Sequence, residues 1–180
     1  MSRLGKMTVA IPEGVNVTLN GNSIFVKGPK GEITKCFPDR VSVKIEKKGI
    51  VVNRNDETKI SNMNQGLLRS IINNMVIGVT QGYIKELVLE AREYKAQLDG
   101  TSLKLSLGFS NPVIMKAPDG IKFEVIDEKR VTVSGRDKDL VGQIAANIKK
   151  LRKWEPYVSK GIKFKGEKLR KKERKTGVGV

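Results

Sequence analysis

Val15, Val17 and Leu19 alternate with Asn16, Thr18 and Asn20, the period-two pattern of a half-buried strand. Asn20-Gly21-Asn22 is a hairpin turn signal, and Ile24-Phe25-Val26 carries the chain back. Lys27-Gly28-Pro29-Lys30-Gly31 reads as a tight basic loop, either a solvent-facing hairpin tip or a contact for phosphate or protein. A short strand near Ile33 to Phe37 follows. Val41, Val43 and Ile45 alternate again, and Lys47-Lys48-Gly49 turns the chain into Ile50-Val51-Val52, completing a small antiparallel meander. Upstream, Ile11-Pro12-Glu13-Gly14 is a turn. The period then changes. Ile60, Met63, Leu67, Ile71 and Met75, joined by Leu68, Ile72, Val76 and Val79, recur at helical steps, with a cap expected at Asn55 or Asp56 and an end at Gly78 to Gly82.

The second half repeats the first. Leu19-Asn20-Gly21-Asn22-Ser23-Ile24 aligns with Leu98-Asp99-Gly100-Thr101-Ser102-Leu103, and Pro38-Asp39 with Pro118-Asp119. Ile50-Val51-Val52 aligns with Val131-Thr132-Val133, and Gly66-Leu67-Leu68 with Gly142-Gln143-Ile144. Four matches in the same order predict an α+β protein of two tandem homologous domains, each a small antiparallel sheet packed by one helix. The expected divisions are 1–81 and 82–151, followed by a basic C-terminal arm over 152–180. The second helix begins near Asp137 and aligns Leu140, Val141, Ile144, Ala145, Ile148 and Leu151.

Charge changes the picture at that helix's end. Lys149 to Lys175 holds thirteen Lys or Arg against three Glu, +10 of a formal +16 in 180 residues. The cations are Lys149, Lys150, Arg152, Lys153, Lys160, Lys163, Lys165, Lys168, Arg170, Lys171, Lys172, Arg174 and Lys175. So dense a charge repels itself and calls for a polyanion, while Trp154, Tyr157 and Phe164 can stack on bases or anchor the arm on its own helix. Pro156 bars helix, so the arm is expected to be irregular, with at best a β-like piece at Ile162-Lys163-Phe164. Arg3, Lys6, Lys27 and Lys30 are further candidate contacts; Arg69 and Arg92 read as surface or interdomain ion-pair residues.

Catalytic chemistry finds little support. The chain has no histidine, which removes imidazole bases, nucleophile activation and His metal ligands. Glu13, Asp39, Asp56, Asp119, Asp127 and Asp137 sit at expected turns or caps, where carboxylates serve structure. Gly28-Pro29-Lys30-Gly31 lacks the spacing and Lys-Ser/Thr ending of a P-loop. The lone Cys36 reads as a small buried hydrophobe in a reducing compartment. No cofactor and no small-molecule substrate are implied. Membrane binding fits less well than nucleic acid, because the basic arm lacks a sustained apolar face and no apolar run could span a bilayer. A cytoplasmic protein is expected.

Ser2-Arg3-Leu4-Gly5-Lys6, Ile11-Pro12-Glu13-Gly14-Val15 and Val26-Lys27-Gly28-Pro29-Lys30-Gly31-Glu32 resemble the opening of the L-six family of large-subunit ribosomal proteins. Trp154-Glu155-Pro156-Tyr157, then Lys160-Gly161-Ile162-Lys163-Phe164, Glu167 and Lys171 to Gly177, resemble its C-terminal signature. Trp154 stands where the family has Pro, and Val158-Ser159 and Arg174 also depart from its pattern. The resemblance implies a duplicated fold bound to 23S rRNA near the sarcin–ricin loop and stalk base, beside other large-subunit proteins. The C-terminal domain and arm would make most rRNA contacts, Gly161 included, and translational GTPases are implied as candidate neighbours. A general RNA or DNA packaging protein and an RNA-modifying or RNA-cleaving enzyme are the alternative readings.

Overall fold

The computed structural model describes residues 5, 7–46 and 49–173, which fall into two compact units. The first comprises Met1–Tyr83 with Arg136–Lys138, the second Ile84–Gly135 with Asp139–Val180.

In the first unit, β1 (Asn16–Asn20), β2 (Ser23–Gly28) and β3 (Gly31–Cys36) form an antiparallel meander. β4 (Val41–Glu46) and β5 (Gly49–Arg54) form a separate hairpin. Helix α1 (Lys59–Thr80) follows and buries Leu68, Ile72, Met75, Val76 and Val79 among Val9, Ile24, Val26, Ile50 and Val52. Its N-cap is Thr58, whose hydroxyl accepts from the Ser61 amide, and not Asn55 or Asp56. Asn55 is spent elsewhere: its side-chain amide donates to the Asp39 carbonyl at 2.8 Å, tying the loop below the hairpin. The apolar stripe also divides. Ile60, Met63 and Leu67, at the helix's first turns, lie exposed at 53%, 65% and 60%, so the first turn buries Ser61 and the buried apolar face begins only at Leu68.

The basic loop at Lys27–Gly31 is not a free hairpin tip. The Lys30 amide donates to the Val79 carbonyl at 2.9 Å, and the Lys30 ammonium donates to the Gln81 carbonyl. Both partners are carbonyls at the C-terminal end of α1, where positive charge is favoured. The approach requires glycine at 28, since a Cβ there would stand 2.7 Å from Val79 Cγ2 and 2.9 Å from its carbonyl oxygen. Cys36, expected to be buried, is exposed; at the outer end of β3 its thiol lies 3.3 Å from the Ser23 hydroxyl.

The second unit repeats this order and adds to it. β7 (Lys95–Asp99), β8 (Ser102–Ser106) and β9 (Val113–Lys116) form the corresponding meander. The two meanders open on matching turns, with Gly21 at φ 55° and Gly100 at φ 59°, as the repeated Asn/Asp-Gly signal requires. β10 (Ile121–Val125) and β11 (Arg130–Gly135) correspond to β4 and β5. Helix α2 (Lys138–Leu151) buries Val141, Ile144, Ala145 and Ile148, while Leu140 is exposed. The addition is a four-stranded sheet in the order β10-β11-β6-β12, with β6 at Tyr83–Glu90 and β12 at Gly161–Phe164.

Candidate nucleic-acid interface

The basic segment leaves α2 at Leu151 and, among the described residues, is irregular on either side of a short β piece where one was expected. Gly161–Phe164 is an edge strand paired antiparallel with β6, Ile162 opposite Leu89 and Phe164 opposite Leu87. Ile162 is fully buried, so one apolar side chain anchors the segment in the core of the second unit. Backbone bonds lock the approach: Ile162 donates to Arg152 at 3.1 Å, Glu155 to Lys160 at 2.9 Å, and Ser159 to Glu155 at 2.9 Å. Gly161, at φ 148°, passes so close to the preceding chain that a Cβ would lie 2.6 Å from Trp154 Cα. A glycine in the family's signature is thus required here by backbone crossing.

The charge expected to make this segment loose is met from within. Lys160 pairs with Glu93 at 2.5 Å, Lys165 with Glu86 at 2.6 Å, and Lys149 with Glu167 at 2.6 Å; Lys163 pairs with Glu90. Glu86 and Glu90 stand on β6, so the pairs zip β12 to its neighbour. The Lys149 ammonium, and then the Phe164 amide donating at 3.0 Å, hold the Glu167 carboxyl below the usual carboxylate range. Hydrogen bonding and charge from Lys160 likewise lower Glu93, which in turn raises Lys160. These four lysines have an intramolecular countercharge.

The remaining cations are presented differently. Lys150, Arg152, Lys153, Lys168, Arg170, Lys171 and Lys172 are all exposed. Arg152 donates to the Tyr94 hydroxyl at 3.1 Å and lies 5.2 Å over the Phe109 ring, and the Lys172 ammonium lies 5.9 Å over the exposed Tyr157 ring. Trp154 is half-buried with Lys163 over its face at 5.9 Å, and its indole N–H is buried without an acceptor among the described residues. Phe164 is half-buried under Lys149 at 4.8 Å. Trp154 and Phe164 therefore act as anchors, whereas Tyr157, 52% exposed, keeps a face open to a base. Lys27 is exposed, Lys30 is engaged at the helix end, and Arg3, Lys6, Arg174 and Lys175 lie outside the described residues.

A duplicated α+β protein that displays fixed positive charge beside an internally neutralised strand belongs among polyanion-binding structural proteins. The model of the family "Ribosomal protein L6" matches the chain twice, over residues 11–82 and 92–165. "Large ribosomal subunit protein uL6" of Clostridium botulinum (strain Langeland / NCTC 10281 / Type F) is 51% identical over 178 residues, covering 98% of this chain and 99% of that protein. The protein of the same name from Clostridium novyi (strain NT) is also 51% identical over 178 residues. The chain belongs to the ribosomal protein L6 family, whose members are structural and not enzymatic.

Proposed function

We propose that this chain, a structural constituent of the large ribosomal subunit in the cytoplasm, holds its place by binding 23S rRNA through its second unit. The cations left exposed by the zipped strand supply the binding: Lys150, Arg152 and Lys153 at the end of α2, and Lys168, Arg170, Lys171 and Lys172 beyond Glu167. Phosphate contacts of this kind give affinity and orientation with little sequence information, and the exposed face of Tyr157 adds a surface for one base. The observation that carries the reading is the division of the basic segment into lysines paired with carboxylates and cations facing solvent. Ribosomal RNA and neighbouring ribosomal proteins are its partners as a family member; a location near the sarcin–ricin loop, the stalk base and the docking site of translational GTPases rests on the signature motifs.

Removing residues 168–180 tests this without disturbing β12, whereas a cut after Leu151 would also delete the buried Ile162. The truncated protein is expected to remain folded and to lose most of its affinity for 23S rRNA in a filter assay. Undiminished binding would refute the assignment. Equal binding to random duplex would favour a general packaging protein.

A further inference from the structure

The second unit contains an open cleft of about 590 Å³ that the basic segment only partly explains. One wall is the end of β6 and the turn after it, at Val88 to Glu93; the second is Lys129 and Arg130 at the start of β11; the third is the turn at Val158 to Lys160. All three walls are fixed by backbone. Leu89 donates to the Lys129 carbonyl at 2.8 Å, and the bonds between Glu155 and residues 159 and 160 hold the third wall. Ser159, at φ 56°, makes the reversal that turns Val158 to the surface. The cavity therefore exists before any ligand arrives.

Its lining sorts into a floor and a rim. Val88 and Ala91, half-buried, give an apolar floor, and Val158, 39% exposed, stands at its edge. Arg92, Lys129 and Arg130 are exposed on the rim. The two carboxylates that face the cleft are already matched, Glu93 by Lys160 at 2.5 Å and Glu90 by Lys163. Arg130 has only a distant carboxylate, Asp127 at 4.0 Å, and Arg92 makes no ion pair within the described residues. The rim thus keeps positive charge in excess of its carboxylate partners among the described residues.

An apolar floor under a cationic rim, in a cavity of this size, fits one nucleotide with its base inside and its phosphate on the arginines. Paired RNA could not enter, since its bases face each other within a helix whose major groove is closed to side chains. We propose that this cleft receives an unpaired nucleotide of the bound RNA, a second anchor separate from the exposed cations beyond Glu167. The inference rests on the RNA-binding reading above and adds to it a site with shape.

The test is base-specific and backbone chemical probing of a 23S rRNA fragment bound by three full-length proteins. These are the wild type, the double variant R92A/R130A, and the variant K168A/R170A/K171A. Arg92 and Arg130 are exposed, so circular dichroism should show the first variant folded. The wild type is expected to protect at least one unpaired base, and R92A/R130A to restore that base's reactivity while keeping the backbone protections lost in the other variant. Its affinity should fall about tenfold, with the slope of log affinity against log salt reduced by about 1.4 for two lost contacts to a single strand. If R92A/R130A keeps every base protection, or loses backbone protections alone, the cleft is not a nucleotide site. If the wild type protects nothing on 23S rRNA, it is the RNA-binding reading that fails, and the cleft proposal falls with it.

Discussion

Gly161 shows how much one residue decides. Its φ of 148° and the 2.6 Å approach to Trp154 Cα leave no room for a side chain. Gly161→Ala is expected to cost about 1–3 kcal/mol, read as a lower unfolding midpoint together with a changed emission from Trp154, the only tryptophan. Glu167 is the second such position. Because its carboxyl is held below the ordinary range, its contribution is fully present above the ordinary glutamate pKa of about 4.3 and is lost as pH falls through the lower folded value. Trp154 emission should accordingly hold steady on acidification past that ordinary value and change only below it. In Glu167→Gln that transition should be absent.

Among elements, α1 separates what periodicity can show from what packing selects. Nine apolar residues recur at helical spacing, yet Ile60, Met63 and Leu67 are exposed while Ile72 and Val79 are fully buried. The first turns meet β5 through polar side chains on the opposite face, Arg54 donating to Asn62 and Gln65 to the Val52 carbonyl at 2.8 Å, which leaves those three apolar positions outside. Ile72→Ala is expected to cost about 2–5 kcal/mol in chemical denaturation, and Leu67→Ala less than about 0.5 kcal/mol. Comparable losses would mean that the ridge is covered in the folded protein. The zipped strand makes the complementary point. Lysines 149, 160, 163 and 165 were candidates for phosphate contact by charge alone, but each stands within 2.6 Å of a carboxylate supplied by residues 86 to 93 or by 167. Pairing at such distance in sequence is invisible to a reading of local composition.

For the whole molecule, the zipper changes the arithmetic of binding. Thirteen cations in the basic segment would suggest a very steep salt dependence. Lysines that only exchange a carboxylate for a phosphate release little condensed counterion, so the effective contacts are the seven exposed cations named above. Affinity for 23S rRNA is then expected to fall by about three to four orders of magnitude between 50 and 200 mM salt, measured by filter binding across a titration. A slope near that of thirteen contacts would mean that the ion pairs of β12 open on RNA.

The sequence by itself determined the duplicated order of strand, turn and helix, the family, and the sign of the partner's charge. Alternation, helical spacing and Asn/Asp-Gly turns are local, and they survive in any arrangement that buries the same faces. Only the tertiary structure decided which cations are free, that Ile162 pins the basic segment into a sheet, that Cys36 faces solvent, and that Arg92 and Arg130 meet Val158 around one cleft. Those outcomes depend on residues tens of positions apart, brought together by burial of apolar surface and by backbone pairing, and no window along the chain contains both partners.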